Sequence, residues 1–186
     1  DYYVFAGHKN LFGSFGIGGL IINNNELLEP LIVGGTGSNS EELIMPDEYP
    51  GRLEAASPNI VAIAGLKAGI TWLRERRNTL DEEKKLLNIF IKVIDEYPEI
   101  QIVGPKDIDK ILPVVSCTFD GYTPQEVALI LDQNYNIAVR AGLHCAPKAH
   151  NFLGTSPNGT VRFSLGTFNT EEEVLIFRDI LEDIIY

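Results

Sequence analysis

Four groups of residues in this chain are of types and spacings that do chemistry. The first is Lys9, in a Gly7-His8-Lys9 turn straight after an aromatic and β-branched run. A lysine there presents its amine at a strand end, where ligands commonly bind. The plain alternative is a solvated surface lysine, but the four glycines between Gly13 and Gly19 permit close backbone approach, and His8 beside it suits an anion. The second is Gly34-Gly35-Thr36-Gly37-Ser38, whose backbone N–H groups and two hydroxyls suit phosphate oxygens. It lacks the spacing and the Lys-Ser/Thr pair of a Walker loop, and a simple flexible turn is its other reading.

The third runs from Arg140 to His150 and sets Cys145 among Arg140, His144, Lys148 and His150. Positive charge there favours the thiolate, the form of cysteine that acts as a nucleophile. A small packed residue is the plain alternative, and that is the reading for Cys117, in the middle of an apolar run. His144, Cys145 and His150 also admit a metal, but no second cysteine pair or carboxylate cluster completes a four-ligand set. The fourth is Arg162, in the alternating run Thr160 to Leu165, where Val161 and Phe163 face one side and Arg162 the other. Its guanidinium is shaped for bidentate capture of a carboxylate, or is simply an exposed strand arginine.

These residues must be positioned by a folded core, and with 45% hydrophobic residues among 186 the chain can build one. A formal charge of -11 argues against nucleic acid or an anionic membrane surface as the main partner. No apolar run approaches the roughly 20 residues that span a bilayer. Two cysteines make no disulfide framework and no secretory signal is visible, so a cytoplasmic setting is expected.

Strands are expected at Tyr2 to Ala6, Gly18 to Ile22, Ile100 to Val103, Pro113 to Phe119, Ile137 to Arg140 and Thr160 to Leu165. Helices are expected from Pro58 with Ser57-Pro58 as cap, from Leu80 to Tyr97 with Asp81 as cap, from Pro124 to Gln133, and from Thr170 to Ile185. Between Gly34 and Ser57 no period holds, and a long irregular stretch of this kind is usually functional or packed on another chain. The order predicts an α+β domain with helices over one face of a largely antiparallel sheet, and a boundary near residue 57.

In order along the chain, Phe5-Ala6-Gly7-His8-Lys9, Gly13 to Gly19, Gly34 to Ser38, Arg52 to Asn59, Arg140 to His150 and Arg162 to Asn169 resemble the class V aminotransferase family, in its cysteine desulfurase and selenocysteine lyase branch. The resemblance implies a fold-type I transferase dependent on pyridoxal phosphate, with residues 1–56 as a remnant of the large cofactor-binding domain and 57–186 as the small carboxy-terminal domain. It implies that Lys9 carries the cofactor as a Schiff base and that His8, Gly35 and Thr36 hold its phosphate. Thr36 would reach the site of a neighbouring subunit, so a homodimer is expected. Arg162, with Arg140 near it, would bind the substrate carboxylate. Cys145, on a mobile loop, would take sulfur as a persulfide, releasing alanine from cysteine and passing sulfur to an acceptor protein.

Two departures bear on that expectation. Ala6 stands where the family usually has Ser or Thr, which removes one hydroxyl from the phosphate site. Only Asp1 to His8 precede Lys9, and the chain opens as if inside a strand, whereas the family's ring-stacking residue and its acid for the pyridinium nitrogen lie well upstream. The chain therefore reads as a fragment that holds the cofactor weakly or not at all and does not turn over, while its parent does. A class V aminotransferase or lyase that ignores the cysteine, or a non-catalytic dimerising fragment, are the alternative readings.

Overall fold

The computed structural model describes residues 1–24, 26–35, 41–76 and 79–185. Two compact units divide the chain, Asp1–Arg77 and Asn78–Tyr186.

In the first unit, β1 (Tyr2–Ala6) pairs antiparallel with β2 (Gly18–Ile22), in the register Tyr2 with Ile22 to Ala6 with Gly18. Both strands fall where β-branched and aromatic residues predict them. The one long helix of the unit is α1 (Ile60–Glu75). Its cap is Asn59, whose side chain accepts from the Ala62 N–H, so the first turn begins two residues past the Ser57 cap expected from sequence. Helix α1 packs within the first unit, which runs to Arg77. A Cβ at Gly69 would sit 2.2 Å from the Leu11 carbonyl oxygen, and the Phe12 and Trp72 rings meet edge to face at 5.3 Å.

The second unit is built on a four-stranded antiparallel sheet of β3 (Ile100–Ile102), β4 (Val114–Phe119), β5 (Arg140–Gly142) and β6 (Thr160–Ser164), in the order β3-β4-β6-β5. Alternation sets its helix side: Val115, Cys117, Phe119, Val161 and Phe163 are buried in one cluster with side chains of α2 (Thr79–Asp95), α3 (Pro124–Tyr135) and α5 (Glu171–Ile185). Helices therefore cover one sheet face, as expected. The Phe90, Phe163 and Phe177 rings meet at its centre, with centroids 5.1 to 5.5 Å apart.

The elements follow local rules. Thr123 and Glu126 form a reciprocal capping box at the start of α3, and Asn136 in the left-handed region ends it. Asp81 lies in the first turn of α2 rather than at its cap. The strand expected at Ile137 to Arg140 is displaced to Arg140–Gly142, because Ile137 and Val139 pack against the core without joining the ladder. A further short helix, α4 (Pro147–Leu153), follows Cys145 where only a loop was expected. Among the described residues, no helix is long and apolar enough to cross a membrane.

Candidate functional site

In the first unit the chain leaves β1 at Ala6 and doubles back tightly around Lys9. Gly7 N–H donates to the Ile17 carbonyl at 2.9 Å, Phe12 N–H to the Lys9 carbonyl at 2.9 Å, and Gly13 N–H to the Gly7 carbonyl at 2.8 Å. These bonds occupy the turn's backbone and leave the Lys9 and His8 side chains exposed. The His8 ring stacks on Phe15 with centroids 5.0 Å apart, which fixes its plane. Helix α1 backs the turn through the close approach at Gly69.

A different set of contacts in the same unit ties residues 26–29 to residues 47–52. Arg52, its side chain 11% exposed, donates through Nε to the Leu28 carbonyl at 2.8 Å and pairs with Asp47 and Glu29 at 3.0 Å each. Tyr49 Oη accepts from the Leu28 N–H at 2.7 Å and donates to the Glu26 carbonyl at 3.1 Å. Residues 26–29 and 47–52 are thus tied together by one arginine and one tyrosine, neither of which sequence reasoning singled out in that role. Gly35 is exposed, and its carbonyl accepts from Ala56 N–H. Thr36 lies outside the described residues.

In the second unit the sheet face away from the helices carries the cationic groups. Ser116, Arg162 and Arg140 are cross-strand partners in adjacent strands, so their side chains form one row. Arg140 is exposed and Arg162 half-buried. Among the described residues the buried Nε of Arg162 meets no hydrogen-bond partner, a costly state for a charged group unless a ligand oxygen or solvent meets it.

Beyond β5 the chain turns sharply. Ala146 N–H donates to the Leu143 carbonyl at 2.8 Å, and the two residues between, His144 and Cys145, both have positive φ, 51° and 61°. Each such non-glycine residue costs on the order of 1 kcal/mol, so the turn persists only where its surroundings hold it. Cys145 is exposed at its tip, and Pro147 then starts α4. The segment that carries Cys145 thus runs from β5 through this turn into α4. Its two ends are pressed together, since a Cβ at Gly159 would meet the Gly142 carbonyl at 2.2 Å.

The His144 Nε2 lies 3.2 Å from the Arg140 carbonyl oxygen, which can only accept, so Nε2 carries the proton. Burial, and then the charges of Arg162, His150 and Arg140, push His144 below the ordinary imidazole range, against the opposing pull of the Arg140 carbonyl. The neutral imidazole is thereby favoured. Cys117 is the converse case: sealed in the core, its thiol is pushed up to about 12 by burial.

Lys9 and His8 thus stand together in the first unit; in the second, His144 lies near Arg140 and Arg162, and Cys145 follows it in the turn. His150, placed by sequence among the cations near Cys145, is instead a buried residue of α4 with Nδ1 2.7 Å from Thr155 Oγ1.

Residues 1–177 match the family model described as Aminotransferase class-V. The chain is 37% identical over 191 residues to a probable cysteine desulfurase of Pyrococcus abyssi, covering 100% of this chain and 47% of that protein. It is 31% identical to a probable cysteine desulfurase of Methanothermobacter thermautotrophicus, covering 99% of this chain and 47% of the other. Among solved structures, the apo structure of a cysteine desulfurase from Thermococcus onnurineus superposes with a TM-score of 0.91 at 36% identity, over 100% of this chain and 47% of that one. The cysteine desulfurase CsdA of Escherichia coli superposes with a TM-score of 0.84 at 27% identity, over 98% and 45%. The chain therefore spans about half the length of the relatives it matches.

Proposed function

This chain belongs to the class V aminotransferase family, and from that premise we propose that it carries the lysine, the cysteine and the carboxylate-binding arginines of a pyridoxal-phosphate-dependent cysteine desulfurase. The observation that carries the reading is the sheet face away from the helices, where Arg162, whose buried Nε meets no partner among the described residues, lies in one row with Arg140. The chain leads from that face directly into the turn that exposes Cys145.

The residues present fit the cofactor. Lys9 offers an exposed primary amine for an aldehyde, and His8, its plane set by Phe15, offers a ring N–H for a phosphate oxygen. When bound, pyridoxal phosphate supplies the electron sink that loosens bonds at an amino acid's α-carbon. By the family resemblance, Gly35 and Thr36 would serve the phosphate site of a second copy of the chain.

The chain's own residues do the rest. Arg162 and Arg140 hold the substrate carboxylate and so fix which end of the amino acid faces the chemistry. Lys9, once its amine is released, takes the proton from the α-carbon and returns one later. The Cys145 thiolate attacks the sulfur of substrate cysteine. A bond forms between the two sulfurs, the carbon–sulfur bond of the substrate breaks, and its electron pair stays on carbon, which is protonated to give alanine. Cys145 is left as a persulfide, and an acceptor protein removes the outer sulfur.

The activity belongs to the full-length parent in a cytoplasmic setting. We propose that this 186-residue chain, which covers about half the length of the relatives it matches, holds the cofactor weakly by itself and turns nothing over. An absorbance band formed on adding pyridoxal phosphate to it and lost in Lys9→Ala would refute that last point. The reading as a whole is tested by giving cysteine to the parent: alanine, sulfide and a persulfide mass on Cys145 are expected, and Cys145→Ala should abolish sulfide release. Sulfide release that survives Cys145→Ala would place the parent among family members that do not use this cysteine.

A further inference from the structure

The turn that presents Cys145 needs an explanation, because two successive side-chain-bearing residues, His144 and Cys145, hold a backbone form that glycine and asparagine usually supply. We propose that the buried His150–Thr155 pair is a positioning device that holds this turn and thereby keeps the Cys145 thiol beside the cationic face made by Arg140 and Arg162. The proposal deepens the desulfurase reading and rests on it for the role of the thiol.

Three observations carry it. His150 is only 6% exposed and its Nδ1 lies 2.7 Å from Thr155 Oγ1, while Thr155 N–H donates to the His150 carbonyl at 3.0 Å, so α4 and the segment after it are tied at one point. The His150 ring faces the His144 ring, centroids 5.6 Å apart, and His144 is in turn anchored on the Arg140 carbonyl. A neutral His144 meets its neighbour without repulsion between like charges. The loop ends are also fixed, since Gly159 N–H donates to the Thr155 carbonyl at 2.7 Å and Gly159 presses on Gly142. The pair thus lies at the centre of a closed loop, in contact with the one side chain adjacent to Cys145 that is anchored on the strand. Neither His150 nor Thr155 touches solvent-borne reactants through this contact, so the role is positional.

The test measures the electrostatic field at the thiol. Iodoacetate and iodoacetamide alkylate the same thiolate, so the ratio of their rates at one pH cancels the thiolate fraction and reports local charge. In the wild-type chain, nearby guanidinium charge should raise that ratio by about threefold or more over a free cysteine peptide at low salt. Thr155→Val, which deletes the hydroxyl at nearly constant volume, should return it to the peptide value, and Thr155→Ser should restore it. Cys117 is the fold control, since its modification signals unfolding. If Thr155→Val exposes Cys117, the smaller Thr155→Ala carries the same comparison. A wild-type ratio equal to the peptide's, an unchanged ratio in a folded Thr155→Val chain, or a Thr155→Ser chain that stays low overturns the proposal. A parent enzyme that keeps releasing sulfide as Cys145→Ala sinks the desulfurase reading instead and leaves the alkylation result standing.

Discussion

Cys117 and Cys145 show how the same side chain becomes inert or available through its surroundings. Cys117 has no solvent contact and a thiol pushed up to about 12, while Cys145 is exposed at the tip of a turn. Iodoacetamide at pH 8 should therefore add one adduct to the native chain, on Cys145, and two only after denaturation, which intact-mass spectrometry resolves. Arg162 makes a second test at this scale. Arg162→Lys keeps the charge but loses the planar fork, so in the parent the KM for the amino acid should rise about tenfold, roughly 1.4 kcal/mol, with a smaller change in kcat. His144 makes a third. Its folded pKa is depressed, so the unfolded chain binds the extra proton first and the second unit loses stability as pH falls from the ordinary imidazole range through the lowered folded value. Nuclear magnetic resonance should show His144 titrating below a free imidazole, and moving up in Arg162→Gln, which removes one of the charges that lower it. The types of Cys145, Arg140 and Arg162 were legible in sequence because charge and alternation mark them. The roles of His150, Arg52 and Tyr49 were not, since each depends on partners that no spacing rule connects.

At the scale of elements, what the sequence could reveal was set by the length of each period. Tyr2–Ala6, Gly18–Ile22, Thr160–Ser164 and the four long helices fall within a few residues of where their patterns place them. Helix α4 went unread because its seven residues are too few for an apolar period and Ala146 offers no side-chain cap. Tertiary contact keeps α1 within the first unit, since its glycine face packs on the Lys9 turn. Gly69 gives that packing a measurable sign. In an exposed helix interior Gly→Ala stabilises by about 1 kcal/mol. Here the added methyl would meet the Leu11 carbonyl at 2.2 Å, and a backbone oxygen cannot swing aside. Gly69→Ala should destabilise the first unit by about 1–3 kcal/mol and speed hydrogen exchange in the turn that follows β1. The capping box at α3 is a more ordinary case: Thr123→Ala should cost about 1 kcal/mol in a urea titration.

For the molecule as a whole, the two units differ in how much they enclose. The second packs Leu87, Phe90, Ile94, Val127, Leu131, Val161 and Leu181 into a continuous interior drawn only from residues after 78. A chain of residues 78–186 should therefore express alone and unfold in one cooperative urea transition. The first unit leaves Tyr3, Val4, Phe15, Leu31, Leu43 and Val61 well exposed. Residues 1–77 alone should show no comparable transition, and circular dichroism of the two pieces would expose any error in that contrast.

Trp72, the single tryptophan of the chain, sits in α1 with Phe12 against its edge and the Arg76 guanidinium 4.4 Å above its ring. The second unit has tyrosines but no indole. Intrinsic fluorescence excited at the red edge of the ultraviolet band therefore reports on the helix behind Lys9 alone, while the thiol chemistry of Cys145 and Cys117 reports on the other half. The polypeptide thus carries two spectrally and chemically separate gauges, and one unlabelled sample can reveal which half loosens first.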